Sequence, residues 1–154
     1  MAATDLVRDE AMMRLALEEA RRAEGWGDVP IGAVIARGDE VLSRAGNARE
    51  RDHDPTAHAE MLAVREAAAA LGTWRLDACS IYVTLEPCAM CAGALVLARI
   101  ERLVYATADP KAGFAGSLGD LVRDPRLNHT VAVETGVLKS ESTEILRAFF
   151  RERR

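Results

Sequence analysis

Two short segments of this chain, His58-Ala59-Glu60 and Pro87-Cys88-Ala89-Met90-Cys91, bring together three potential zinc ligands and one carboxylate that need not be a ligand. Zinc favours four tetrahedral positions, and catalytic sites usually fill three with protein and leave one for water. His58, Cys88 and Cys91 can be the three, which frees Glu60 to move protons. Zinc lowers the pKa of its water to about 7, giving usable hydroxide at neutral pH. A carboxylate beside that water can take a proton and return it.

C-x-x-C alone has plainer readings, as half of a structural zinc knuckle or as a redox pair. A structural site needs a fourth protein ligand, for which Cys79, His53 and His129 are the remaining cysteine and histidines. A redox pair does not require His58-Ala59-Glu60 upstream. H-x-E followed by P-C-x-x-C is the signature of the zinc nucleobase deaminases. Hydrolytic deamination needs one proton on the ring nitrogen and another on the departing amine, the task assigned to Glu60. The plainer reading of Glu60 is a helix-start carboxylate that complements the dipole.

The 154 residues suit one domain, taken as 1–154, with a single core. Hydrophobic residues at 49% and charged residues at 29% match a soluble globular protein. No apolar run approaches the roughly 20 residues that span a membrane. Residues 1–10 lack the basic start and apolar stretch of a secretory signal. Three cysteines, two in the metal motif, argue against a disulfide framework and for a cytoplasmic setting. A net charge of -4 excludes a protein that coats nucleic acid nonspecifically. The densest basic group is C-terminal, Arg147, Arg151, Arg153 and Arg154, and also reads as a helix end complementing its dipole.

The elements that must hold these motifs follow from periodicity and turn residues. Residues 5–24 have helical spacing of Met12, Leu15, Ala16, Ala20 and Ala23, ended by Gly25 and Gly27. Strands are expected at 31–37 and 41–45 around the turn Gly38-Asp39. A polar loop over 47–55 leads to Thr56 as a helix start, a helix over 57–71 and Gly72 as its stop. A strand over 80–85, a helix over 88–99, strands at 102–106 and 131–134, and a last helix over 139–153 with Ser140 as cap complete the reading. This order predicts a five-stranded mixed sheet flanked by helices, a three-layer α/β/α domain. Both metal motifs then fall at helix N-termini, where positive dipole ends stabilise the thiolates of Cys88 and Cys91.

From Asp28-Val29-Pro30-Ile31-Gly32 to Phe149-Phe150-Arg151 the chain resembles the tRNA-specific adenosine deaminases of the TadA type, in the cytidine deaminase-like superfamily. The segments that carry it are Gly46-Asn47, His53-Asp54-Pro55-Thr56-Ala57-His58-Ala59-Glu60, Tyr82-Val83-Thr84-Leu85-Glu86-Pro87-Cys88-Ala89-Met90-Cys91-Ala92-Gly93-Ala94, Gly116-Ser117-Leu118, Asn128-His129 and Phe149-Phe150-Arg151. The resemblance implies the cytidine deaminase-like fold, one Zn2+ per subunit, a homodimer, and conversion of the wobble adenosine of a tRNA anticodon stem-loop to inosine with release of ammonia. It implies that Asn47 holds the target nucleoside and that Val29 and Pro30 shape the pocket, with the backbone near Thr84, Leu85 and Glu86 beside it. Asp109 and Lys111 would meet neighbouring nucleotides, and Phe149 and Arg151 would supply packing and phosphate contacts. RNA is generally read through unstacked loop bases, in keeping with this.

Plainer readings stand beside these. Gly46-Asn47 is a common turn pair, Asp109-Pro110 an ordinary loop, and Phe149 and Phe150 suit a core. Asp54 reads as a partner that orients His58, Trp26 as cover for the core or a stacking platform, and Cys79 as a small buried residue. A deaminase of free guanine or cytosine would share the zinc and the proton shuttle. A noncatalytic RNA-binding protein with structural zinc would tolerate loss of Glu60.

Overall fold

In the computed structural model, which describes residues 3–153, strands and helices follow in the expected order. They are α1 (Ala3–Gly25), β1 (Gly32–Arg37), β2 (Glu40–Gly46), α2 (Ala59–Leu71), β3 (Ser80–Leu85), α3 (Ala89–Leu97), β4 (Arg102–Thr107), β5 (Ala132–Thr135) and α4 (Lys139–Glu152). The strands form one sheet in the order β2-β1-β3-β4-β5. β1 pairs antiparallel with β2 and β3, whereas β3–β4 and β4–β5 are parallel. The sheet is mixed because a tight turn at Gly38 (φ 62°) joins β1 to β2, while helix α3 must cross over between β3 and β4.

Alternation along the strands builds two apolar layers. Ala33, Ile35, Ile81, Val83 and Leu103 pack with Ala59, Ala63 and Leu95 of α2 and α3. Val34, Ala36, Tyr82 and Val104 point the other way and meet Met12, Met13 and Ala16 of α1. The period of two in a strand forces this split, so a sheet apolar at every position must be covered on both faces. Gly32 marks where α1 crosses β1: a Cβ there would stand 1.9 Å from the Ala16 carbonyl oxygen.

Three local expectations are corrected. Thr56 does not start α2. Its N–H and hydroxyl donate to the Asp54 carboxylate at 2.8 and 2.7 Å, and His58, in extended conformation, is the N-cap. Cys88 caps α3 in the same way, which ends at Leu97 with Arg99 at φ 64°. Ser140 does not cap α4; Leu138 does, at φ 55°, because its side chain packs against the α1-side core and dictates the entry. Arg154 lies outside the described residues. No helix among them is long and apolar enough to cross a membrane.

Candidate active site

The extended backbone at His58 and at Cys88 turns both side chains away from their helices and toward each other. The Nδ1 atom of His58 stands 3.6 Å from Cys88 Sγ and 3.5 Å from Cys91 Sγ. Zinc–sulfur bonds of about 2.3 Å and a zinc–nitrogen bond of about 2.0–2.1 Å, meeting at a tetrahedral angle, separate N from S by about 3.5 Å. Both N–S separations therefore match those around a tetrahedral cation. Among the described residues, these three are the cluster of metal-ligating side chains whose donor atoms converge, all within 4.8 Å of one another. Cys79 is buried elsewhere with its thiol toward the Asp77 carbonyl, and His129 faces the Ile100 carbonyl, so neither is a fourth ligand.

The electrostatics suit a cation. Cys88 is held down to about 3, chiefly by the Cys91 thiol and, after the opposing cost of burial, by the His58 ring. Cys91 is pushed up because it shares the proton with the Cys88 thiolate and is buried. His58 is raised by its contact with Cys88. The chain thus presents a thiolate and a proton that a divalent ion would displace. Glu60, one residue into α2, is 5% exposed, and burial pushes its carboxyl up to about 7. A carboxyl near neutrality both takes and gives protons at physiological pH.

His58, Glu60 and Cys88 line a cavity of about 130 Å³ together with Val29, Ile31, Asn47, Leu85, Asp109 and Ala112. One water needs about 10–15 Å³ by this measure, so the space admits a flat ring with its attacking water. A second, larger hollow opens beside it and shares Val29, Leu85 and Asp109 with it. Its floor and rim are Thr107, Lys111, Leu146, Arg147, Phe150 and Arg151. The Ser142 hydroxyl donates to the Thr84 carbonyl at 2.6 Å, and Thr107 and Thr143 hydroxyls meet at 3.1 Å; both bonds dock α4 next to the cavity.

Not every residue named from the sequence reaches these surfaces. Val29, Asn47, Leu85, Glu86 and Asp109 line the cavity; Lys111 and Arg151 line the neighbouring hollow. Pro30 is buried behind the wall, and Ile31 takes the lining position instead. Thr84 is fully buried: its hydroxyl accepts the Gly32 N–H at 3.1 Å, so it joins β3 to β1. Phe149 is 4% exposed under the Arg153 guanidinium, 3.6 Å from its ring centre, and Phe150 is the aromatic at the hollow. Arg49 and Ala112 were missed because they carry no motif; Arg147 and Phe150, named in the basic group and in Phe149-Phe150-Arg151, were not assigned to the site.

Asn47 is held by four contacts, the first from its own N–H to the Ile31 carbonyl at 2.9 Å. Its Nδ2 donates to the Val29 carbonyl at 3.2 Å, its Oδ1 accepts the Arg49 N–H at 3.2 Å, and its carbonyl accepts the Trp26 indole N–H at 3.0 Å. One Nδ2 hydrogen remains for a ligand. Trp26 is thereby a brace for this loop, with Arg51 stacked 4.0 Å from its ring centre. Buried Asp28 pins the next turn by accepting the N–H groups of Glu50 and Arg51 at 2.7 and 3.1 Å. Asp54 is occupied by Thr56 and does not orient His58, contrary to expectation.

A sheet of this order carrying a His-Cys-Cys cluster and an adjoining buried carboxyl defines a deaminase of the cytidine deaminase-like class. Residues 7–154 match the family model of the MafB19-like deaminases. The tRNA-specific adenosine deaminase of Bacillus subtilis (strain 168) is 50% identical over 149 residues, covering 97% of this chain and 92% of that protein. That of Aquifex aeolicus (strain VF5) is 46% identical, covering 94% and 95%. A solved structure from studies of A-to-I editing by tRNA:A34 deaminases at the wobble position of transfer RNA superposes with a TM-score of 0.85 at 46% identity, over 88% of this chain and 99% of that one. A guanine deaminase structure from Nitrosomonas europaea superposes with a TM-score of 0.80 at 25% identity, over 91% and 83%. The chain belongs to the tRNA-specific adenosine deaminase family.

Proposed function

We propose that this chain, a single domain over 1–154, converts the wobble adenosine of a tRNA anticodon stem-loop to inosine, with one zinc ion per subunit, as a cytoplasmic homodimer. The observation that carries the substrate is the union of two hollows: the cavity at His58, Glu60 and Cys88 opens beside a surface with Lys111, Arg147, Phe150 and Arg151. A free base would fill the first and leave the second without use. An RNA loop needs a pocket for one extruded base and, next to it, cations and an aromatic face for its neighbours. Trp74 and Leu97 expose apolar surface that a second subunit would cover.

His58, Cys88 and Cys91 would hold the zinc, which when bound supplies a nucleophile of hydroxide strength at neutral pH. Asn47 orients the nucleoside through its remaining Nδ2 hydrogen, and Val29, Ile31 and Leu85 exclude water around the ring. Glu60 takes the proton of the attacking water and delivers it to ring N1. Glu60 then takes the remaining proton from the new C6 hydroxyl and gives it to the departing N6. The C6–N6 bond breaks, a C6–O bond has formed, and inosine and ammonia leave; one water is consumed and Glu60 returns to its starting state.

The test is deamination of an anticodon stem-loop carrying a wobble adenosine, with guanine and cytosine assayed alongside. Inosine without free-base turnover is expected. Free-base turnover with inert RNA would reassign the substrate to the second reading, a nucleobase deaminase, which the likeness to the guanine deaminase structure favours.

A further inference from the structure

Glu86 lines the cavity, yet its carboxylate takes no part in the chemistry above. It is 2% exposed and accepts four donors: the N–H groups of Asp109 (2.9 Å), Ala115 (3.0 Å) and Ser117 (3.0 Å), and the Ser117 hydroxyl. All four come from the segment after β4. The same segment is stitched by its backbone to the turn that presents Cys88. Gly113 bridges Cys88, and the Phe114 N–H donates to the Pro87 carbonyl at 2.8 Å. Gly113 lies directly on the carboxylate: a Cβ there would stand 2.3 Å from Glu86 Cδ. A buried carboxylate is tolerated only when donors replace its water, so the four bonds and the segment's path require each other.

The consequence reaches the substrate side through Asp109. Its N–H is fixed by Glu86, its Oδ1 accepts the N–H groups of Lys111 (3.0 Å) and Ala112 (3.2 Å), and its carbonyl accepts the Gly113 N–H (2.9 Å). We propose that Glu86 is a positioning residue for RNA: its carboxylate fixes segment 108–117 so that Asp109 and Lys111 face the nucleotides beside the target adenosine. This rests on the RNA reading above. Glu86 touches neither the reacting atoms nor the metal; it sets the loop that binds.

Glu86→Gln keeps the shape but turns an amide NH2 toward N–H donors. KM for the stem-loop should rise at least about tenfold, with kcat within about threefold and metal content unchanged. Gly113→Ala, which presses a methyl group onto the carboxylate, should give the same split. The double variant should be little worse than the stronger single one, because both act through one contact. Unchanged KM in both variants would overturn the proposal. So would a fall in kcat at unchanged KM, or loss of the metal. Wild-type protein inert on the stem-loop would refute the substrate reading separately. Hydrogen exchange at Asp109, Ala115 and Ser117 then still decides: faster exchange in Glu86→Gln is expected, and unchanged exchange overturns the positioning role.

Discussion

Replacing Glu60 by Gln tests the assignment of the proton carrier, because it changes the chemistry and almost nothing else. The side chain is buried and its carboxyl stands near neutrality, so a neutral amide of equal size costs little in folding. The loss of rate follows from what the cavity offers in its place. Glu86 and Asp109 are the other carboxylates on the wall. Glu86 is closed in by four donors, and Asp109 Oδ1 caps the turn at Lys111 and Ala112. Neither is placed to shuttle protons. A positioned acid–base group contributes about 10²–10⁴-fold per transfer. Glu60 serves two successive transfers and the slower sets the rate, so kcat should fall by about 10²–10⁴-fold, or about 3–5 kcal/mol of barrier. Single-turnover inosine formation at saturating protein reads this directly, with metal content and thermal melting measured on the same preparation. A variant that holds its metal and still turns over within tenfold of wild type would refute the reasoning.

Three further outcomes are expected. Cys88→Ala should lose the metal while keeping the sheet, read by metal content and circular dichroism, because two ligands remain where three converged. Arg151→Ala should weaken stem-loop binding and flatten its salt dependence, by about 0.7 in the slope of log K against log salt for one lost phosphate contact. An unchanged slope would remove Arg151 from the RNA surface. The Tyr82 hydroxyl, pushed up to about 12 by burial and by Asp9, to which it donates at 3.1 Å, stays protonated in the folded chain. Its contribution to stability is full below the unfolded tyrosine pKa near 10 and is lost as pH rises from there toward 12. Denaturant melts of Tyr82→Phe should show a smaller decline over that window than wild type.

The His58, Cys88 and Cys91 group that could hold a metal, and the carboxyl of Glu60, were legible in the sequence because they obey short-range rules. His58 and Glu60 lie two residues apart, Cys88 and Cys91 one helical turn apart, and each pair sits at the start of an apolar helix. The elements were legible for the same reason, since alternation and helical spacing are local patterns. Their boundaries were less so. Leu138 displaces Ser140 as cap because its side chain answers to the α1-side core, which no window of sequence contains.

The substrate wall was only partly legible. Thr84 and Pro30 belong to conspicuous motifs but serve the sheet and the pocket's rear. Arg147 and Phe150 were read as part of a basic helix end and as a core aromatic, yet α4 docks through Ser142 and Thr143 so that both line the hollow beside the cavity. Phe149 and Phe150 are adjacent in sequence; one helical step of 100° buries the first and exposes the second, and which is which depends on how α4 rotates onto the sheet.

Residue types at short spacing decide what chemistry a chain can support, because a metal's donors and a proton carrier are chosen by identity. On that ground the sequence alone determined a metal-dependent deaminase on a mixed sheet. Which donors actually meet, that His58 turns Nδ1 toward the two thiols, and that Glu86 accepts from the segment after β4 are matters of distance between segments far apart in the chain. Only packing of the two layers on the sheet sets those distances, since burial fixes positions to fractions of an ångström and local sequence does not.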